Sequence, residues 1–169
     1  PAIIIHLDIS GSMSGSRITE AFKGLVLLAE VCSRLNLPLE VISFNSKARL
    51  IRAWDEKIGE EQRDRLARLL RQVEGSTYYA EALKLTAERL ELMPFRDRFL
   101  IAISDGEPHD EDEVRRMIAE LTRRGVSCLG LGIGPDTSAL RRFFREGLHE
   151  ATPSQVAVEL AQLLDRLLR

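Results

Sequence analysis

The sequence alternates short apolar segments with longer segments whose apolar residues recur at helical spacing, and this alternation is the feature that most constrains the fold. Residues 2–9, 99–103 and 126–133 are mainly apolar runs, as is typical of parallel strands buried on both faces. We expect helices between and after these strands, at 18–35, 60–73, 79–92, 110–124, 138–146 and 154–168. Strands that alternate with helices predict a doubly wound α/β fold, in which helices cover both faces of an open, mostly parallel sheet.

A hairpin is predicted in the first half of the chain. Residues 39–44 and 48–54 are strand-like and are separated by a turn of three residues, a connection length typical of hairpins. The second segment carries Arg49 and Arg52, which suits an exposed edge strand. We therefore expect one antiparallel strand at the edge of the parallel sheet. Residues 148–151 predict a further short strand near the end of the chain.

Length and composition indicate one globular domain. The chain has 169 residues, of which 44% are hydrophobic and 30% charged, with a formal net charge of −2. This balance of charge excludes a strongly basic nucleic-acid binder. No apolar run approaches the length of about 18 residues that a membrane-spanning helix needs. The chain enters a strand directly after Pro1, so we expect residues 1–169 to be a single domain of a longer protein. Cys32 and Cys128 lie in apolar runs, which favours buried thiols in a reducing compartment, the cytoplasm.

Polar side chains with a common chemistry follow two of the buried strands. Asp8 and Asp105 stand at strand ends, where an open α/β sheet binds its ligands, and Ser10 and Ser12 follow Asp8 at alternate positions. Two carboxylates brought together repel each other unless a cation lies between them. Hydroxyl and carboxylate oxygens suit Mg²⁺, Mn²⁺ or Ca²⁺ better than Zn²⁺. A Gly-Ser-Thr segment ending in Thr77 could supply a further hydroxyl.

Other readings of these residues remain open. A metal-dependent phosphatase with an aspartate nucleophile would need a second aspartate two residues after Asp8, where this chain has Ser10. No acid–base pair or Ser-His-Asp order supports hydrolysis. The run Gly130-x-Gly132-x-Gly134 could suggest a nucleotide site, but it lies at a late strand, lacks a P-loop lysine and runs into a proline, so close packing and a turn explain it better.

Taken together, the motifs resemble the von Willebrand factor type A (vWA) domain. The resemblance rests on Asp8-Ile9-Ser10-Gly11-Ser12, on the Gly-Ser-Thr segment before a helix and on the strand that ends Ser104-Asp105-Gly106, and it covers essentially the whole chain. It implies a metal-ion-dependent adhesion site, abbreviated MIDAS, that binds Mg²⁺ or else Mn²⁺ or Ca²⁺. The residues that match its ligands are Asp8, Ser10, Ser12, Thr77 and Asp105. The resemblance also implies that one coordination position is left for an acidic side chain of a protein partner.

A narrower resemblance concerns bacterial vWA domains that work beside AAA+ ATPases of the MoxR type. Met13, Gly15 and Arg17 after the first motif, the segment 104–110 and the segment 132–136 are similar to the cobalt chelatase metal-site subunit and to activators of nitric oxide reductase. This resemblance implies a non-enzymatic cytoplasmic domain that couples such an ATPase to a client protein. From their position beside the first motif, we also expect Met13 and Arg17 to be contacts at the rim of the site. An extracellular adhesion domain is the alternative, which the lack of a disulfide framework disfavours.

Residues beside the motifs also carry expectations. Asp110 and Glu113 have the spacing of a capping box at a helix N-terminus. Tyr78 and Tyr79 follow Thr77, and we expect one ring to face a partner and the other to face the core. His6 lies inside the first strand, where a hydrogen-bonded buried histidine is expected.

Overall fold

The computed structural model describes residues 1–57, 59–134, 137–144, 146–152 and 155–169. Within these residues, six strands form one sheet in the order β3-β2-β1-β4-β5-β6. Their bounds are β1 (Ala2–Asp8), β2 (Leu39–Phe44), β3 (Ala48–Arg52), β4 (Arg98–Ser104), β5 (Val126–Ile133) and β6 (Glu146–Ala151). Neighbouring strands are parallel except for β2 and β3. The mostly parallel sheet with one antiparallel edge strand is thus confirmed.

In the part of the chain that the structure describes, five helices surround this sheet. They are α1 (Ser16–Arg34), α2 (Glu60–Leu69), α3 (Ala80–Arg89), α4 (Glu111–Arg123) and α5 (Val156–Leu168). Buried side chains of α1, α2 and α5 pack on one face of the sheet, and those of α3 and α4 pack on the other. The helices therefore cover both faces, as predicted for a doubly wound fold. Across the described residues, no helix combines the length and apolar character needed to cross a membrane.

Strand β1 lies at the centre of the sheet and is buried along its whole length. Its alternate side chains point to opposite faces, so that Ile3 and Ile5 join the core under α1 while Ile4 joins the core under α3. His6 points to the same face as Ile4, and its ring nitrogens are hydrogen-bonded to the Tyr79 hydroxyl at 2.7 Å and the Thr86 hydroxyl at 2.6 Å. The prediction of a hydrogen-bonded buried histidine is confirmed. Complete burial lowers the pKa of His6 to about 3.

The helix predicted at 138–146 is confirmed only in its first half, as a 3₁₀ helix and not an α-helix. The structure has a short 3₁₀ turn at Ser138–Arg142, and the chain then enters β6, parallel to β5. Phe144 is buried directly over Gly130 of β5, where a β-carbon would lie only 2.8 Å from the ring. Gly147 has a φ of +144°, which is incompatible with a helix. The packing of Phe144 on Gly130 of the sheet has therefore overridden the apolar spacing of the segment. The strand predicted at 148–151 begins two residues earlier, at 146.

Candidate metal centre

The candidate site lies where the strand order reverses. From β1 the chain continues to β2 on one side, whereas β4 pairs with β1 on the other side. Leu7 of β1 is in register with Ile103 of β4, so the two strands end at the same edge of the sheet. In open α/β sheets, ligands bind in the crevice beyond such strand ends. Asp8 is the last residue of β1, and Asp105 directly follows β4.

The carboxylate of Asp8 is buried and accepts hydrogen bonds through both oxygens. The Ser10 backbone amide donates to Oδ1 at 2.8 Å, and the Ser104 hydroxyl donates to Oδ2 at 2.6 Å. Burial raises the pKa of Asp8, with a smaller contribution from Asp105, while the hydrogen bonds from Ser104 and Ser10 oppose the rise. A cation beside Asp8 would relieve the cost of keeping this carboxylate charged. Sequence reasoning assigned no role to Ser104, although its position directly before Asp105 was a usable signal.

The two serines after Asp8 connect the strand ends. A single 3₁₀ turn at Gly11–Met13 folds the loop back, which brings the hydroxyls of Ser10 and Ser12 to 3.2 Å from each other. Ser12 in turn donates a hydrogen bond to Asp105 Oδ1 at 2.9 Å. Four of the five predicted ligands, namely Asp8, Ser10, Ser12 and Asp105, are therefore joined in one hydrogen-bonded chain. Met13 is completely buried, so the interpretation of Met13 as a rim contact is wrong.

Thr77 lies on a second loop that is tied to the first. The backbone amide of Gly11 donates to the Gly75 carbonyl at 3.0 Å, and that of Glu74 donates to the Ile9 carbonyl at 3.0 Å. Gly75 has a φ of +83°, a conformation that glycine adopts readily. The Thr77 carbonyl accepts a hydrogen bond from the His109 amide at 2.8 Å, which links this loop to the one that follows β4. These bonds tie the loop that carries Thr77 to the two loops that carry the hydrogen-bonded chain. Within the described residues, no hydrogen bond joins the Thr77 hydroxyl to that chain.

Arg17 is a participant whose contact sequence reasoning missed. Its Nη1 lies 2.7 Å from Asp105 Oδ2, an ion pair in which the arginine side chain is 35% exposed and the aspartate side chain 1%. Arg17 Nη1 also donates to the Ser12 carbonyl at 3.4 Å. The sequence placed Arg17 near the site but gave no signal for this pairing, because Arg17 and Asp105 are 88 residues apart in the chain.

The donors at the site are all oxygens. In the part of the chain that the structure describes, no group of three or more histidine, cysteine, aspartate or glutamate residues is arranged to hold a metal. A metal at this place would therefore be held by two carboxylates together with hydroxyls. Such hard, largely neutral donors fit Mg²⁺, Mn²⁺ or Ca²⁺.

Asp110 stabilises a different helix from the one that its spacing predicted. Its carboxylate accepts hydrogen bonds from the backbone amides of Tyr79 at 3.1 Å and Ala80 at 2.9 Å, at the start of α3. No side-chain hydrogen bond of Asp110 caps α4, and Glu113 forms an ion pair with Lys84 of α3. The predicted capping box is wrong, because tertiary contact between α3 and α4 supplies partners that local spacing cannot reveal.

The two tyrosines after Thr77 lie in different surroundings, and the expectation that one of their rings faces the core is confirmed. Tyr79 is buried against His6 and Phe44, whereas Tyr78 is 44% exposed. The ring of Tyr78 lies 5.4 Å from that of His109, which is also exposed. This aromatic pair borders the candidate site on the side of Thr77.

The glycines of β5 are explained by packing. A β-carbon on Gly132 would lie 2.5 Å from the Cβ of Thr137, and one on Gly130 would meet Phe144. Close packing thus accounts for the repeated glycines, and no nucleotide site is needed to explain them. The last two residues of the 132–136 segment, Pro135 and Asp136, lie outside the described residues.

The family is shown by the sequence itself. The model for the von Willebrand factor type A domain matches residues 2–154, and the chain belongs to this family. Members of the family are adhesion or protein-interaction modules that bind a divalent cation at a MIDAS. No curated protein matches the chain.

Solved structures agree on the fold. The chain superposes on proximal thread matrix protein 1 from the mussel byssus with a TM-score of 0.78 at 17% identity, covering 97% of this chain and 46% of that one. A von Willebrand factor type A protein from Catenulispora acidiphila gives 0.77 at 16% identity, with 98% and 42% covered. An aerotolerance-related membrane protein from Bacteroides fragilis gives 0.71 at 16% identity, with 98% of each chain covered. The chain therefore spans less than half the length of the first two. The mussel protein has also been solved with its MIDAS motif occupied by zinc.

Proposed function

We propose that this vWA domain is a non-enzymatic protein-interaction module that depends on a divalent cation. The cation is held by Asp8, Ser10, Ser12, Thr77 and Asp105, with Mg²⁺ as the physiological ion and Mn²⁺ or Ca²⁺ as substitutes. The observation that carries the proposal is the hydrogen-bonded chain from Asp8 to Asp105 across the strand ends. When bound, the cation supplies an electrophilic position that exchanges water for a carboxylate of the partner.

The side chains of the site orient the metal ligands and keep the site attractive to an anionic side chain. The hydrogen bonds to Asp8 from Ser10 and Ser104 fix the orientation of a buried carboxylate. The hydroxyls of Ser10 and Ser12 add no charge, so the site retains an attraction for an anionic side chain. Tyr78 and His109 present an exposed aromatic surface beside Thr77, and exposed aromatic residues often serve as anchors in protein interfaces.

Metal binding is tested by titration with Mn²⁺ followed by electron paramagnetic resonance. We expect one ion to bind the wild type and to be lost from the double variant Ser10→Ala/Ser12→Ala. Ser33→Ala is the matched control, because Ser33 is exposed near the end of α1. Equal binding to the double variant, or no binding to the wild type at any cation concentration, would contradict the assigned site.

Partner capture is tested separately. We propose that the domain couples an AAA+ ATPase of the MoxR type to a client protein in the cytoplasm. The support is the Asp8-Ile9-Ser10-Gly11-Ser12-Met13 motif and the 104–110 segment, together with two free cysteines. We expect the wild type to retain an ATPase or client in Mg²⁺ and to release it in chelator, and Asp8→Ala to retain neither. Capture that is unchanged by chelator would overturn the proposal, and metal-dependent phosphatase activity would favour the hydrolase alternative instead.

A further inference from the structure

The Arg17 side chain lies beside the candidate site and contacts the loops around it. It lies in the first turn of α1 and reaches back to Asp105 and to the Ser12 carbonyl. On its other side is Gly134, directly after β5, which has a φ of +97° and whose β-carbon would lie 3.2 Å from Arg17 Nη2. A larger residue at Gly134 would press on the guanidinium. The Ser12 carbonyl and the backbone at Gly134 therefore lie next to this side chain where it contacts Asp105.

The ion pair completes the coordination of Asp105 by the protein. Ser12 donates to Oδ1 and Arg17 donates to Oδ2, so both oxygens of this buried carboxylate have partners. The oxygens of Asp8 are bonded to neutral donors only, the Ser10 amide and the Ser104 hydroxyl. Among the described residues, Arg17 is thus the only cationic side chain that contacts either aspartate of the site.

This arrangement has opposite consequences for the metal-free and metal-bound states. Without a metal, the guanidinium offsets the charge of a buried carboxylate, and a buried charge that loses its partner is strongly destabilising. With a metal, the guanidinium and the divalent cation share one carboxylate, and their like charges repel each other. Even with the full screening of bulk water, the repulsion between a single and a double positive charge about 6 Å apart corresponds to about a tenfold change in affinity.

We propose that Arg17 is the internal counter-ion of the metal-free site and that it sets the affinity of the domain for divalent cations. It stabilises the empty arrangement of Asp105 and weakens metal binding, so that the occupancy of the site follows the cation concentration. A carboxylate delivered by a partner adds negative charge and offsets this effect, which makes metal and partner bind cooperatively. The inference rests on the metal site of the proposed function and assigns it a regulating residue.

The test compares Mn²⁺ affinity in a set of variants, measured by electron paramagnetic resonance at low ionic strength. Arg17→Met removes the charge and keeps much of the length, Arg17→Gln retains a neutral hydrogen-bond donor, and Arg17→Lys retains the charge. Arg34→Met is the matched control, because Arg34 is an exposed arginine at the other end of α1. We expect Arg17→Met and Arg17→Gln to bind Mn²⁺ about tenfold more tightly than the wild type. Arg17→Lys and Arg34→Met should bind as the wild type does.

A second readout is thermal stability. In chelator, Arg17→Met should melt below the wild type, and saturating Mn²⁺ should raise its melting temperature by more than it raises that of the wild type. If the wild type binds Mn²⁺ and both neutral variants bind it equally or more weakly, the inference is overturned while the metal site stands. If neither the wild type nor the neutral variants bind, both proposals fail.

Discussion

At the scale of single residues, the rim of the site is where the proposed partner would make contact. Tyr78 is exposed beside Thr77 and contributes its ring to a pair with His109. Because Tyr78 has no side-chain bond to the aspartates or serines of the site among the described contacts, its ring can be removed without disturbing them.

We expect Tyr78→Ala to weaken capture of the partner about tenfold or more, because exposed aromatic anchors dominate many interfaces. The affinity for Mn²⁺ should stay within about twofold of the wild type. The two quantities are measured by calorimetry with the captured partner and by metal titration. Leu92→Ala, which removes an exposed apolar side chain elsewhere, is the control. A parallel loss of metal binding would place Tyr78 in the metal site itself.

His6 makes the stability of the fold depend on pH. In the folded protein its pKa is lowered to about 3 from a usual value of 6.5, because burial excludes the charged imidazole. Between these two values the unfolded chain binds more protons than the folded one. The His6 contribution to the free energy of unfolding is therefore complete above pH 6.5 and is lost as the pH falls, by up to about 1.4 kcal/mol per pH unit.

The prediction is checked by urea unfolding in chelator at several pH values between 7 and 4. The difference between the wild type and His6→Gln should shrink as the pH falls, because glutamine does not titrate. His109→Gln is the matched control, since His109 is exposed, and it should follow the wild type. Parallel curves for the wild type and His6→Gln would show that the ring is not held neutral.

At the scale of elements, Asp110 joins two helices. It precedes α4 in the chain, yet its carboxylate satisfies the first amides of α3. These amides have no partners within the helix, and replacing a side chain that satisfies such groups costs about 1–2 kcal/mol.

We expect Asp110→Ala to lower the free energy of unfolding by about 1–2 kcal/mol, measured by urea denaturation. Asp112→Ala is the control, because Asp112 is exposed in the first turn of α4 and should change stability by less than about 0.5 kcal/mol. If both variants lower the free energy of unfolding equally, the loss of a negative charge near the start of α4 explains the effect, and the loss of the hydrogen bonds to α3 does not.

At the scale of the whole molecule, the sequence predicts what depends on burial and periodicity. The apolar runs of β1, β4 and β5 indicate central strands, and the edge position of β3 follows from its charged residues. Long-range contacts are beyond such reasoning: the pairing of Asp110 with α3, the burial of Phe144 on Gly130 and the ion pair of Arg17 with Asp105 each join residues far apart in the chain. The meeting of Asp8 and Asp105 at one edge of the sheet could be predicted, because both stand at the ends of strands that the fold brings together.

The final prediction concerns the charge of Asp8, which we expect to favour metal binding and to lower the stability of the whole domain. Burial raises the pKa of Asp8, so keeping this carboxylate charged above its usual pKa costs folding free energy. Asparagine can accept the hydrogen bond from the Ser10 amide and can donate to the Ser104 hydroxyl without carrying a charge. We therefore expect Asp8→Asn to unfold in chelator at the same temperature as the wild type or a higher one. Mg²⁺ should raise the melting temperature of the wild type and leave that of Asp8→Asn unchanged.

Calorimetric melting with and without Mg²⁺ measures both effects in one preparation. Asp64→Asn is the matched control, because Asp64 is exposed on α2, and it should respond to Mg²⁺ as the wild type does. The difference in melting temperature between Asp8→Asn and the wild type in chelator decides between two roles of the Asp8 charge. If Asp8→Asn melts well below the wild type, the Asp8 carboxylate stabilises the fold. A melting temperature at or above that of the wild type would mean that the charge is retained for the metal, because folding alone does not favour it.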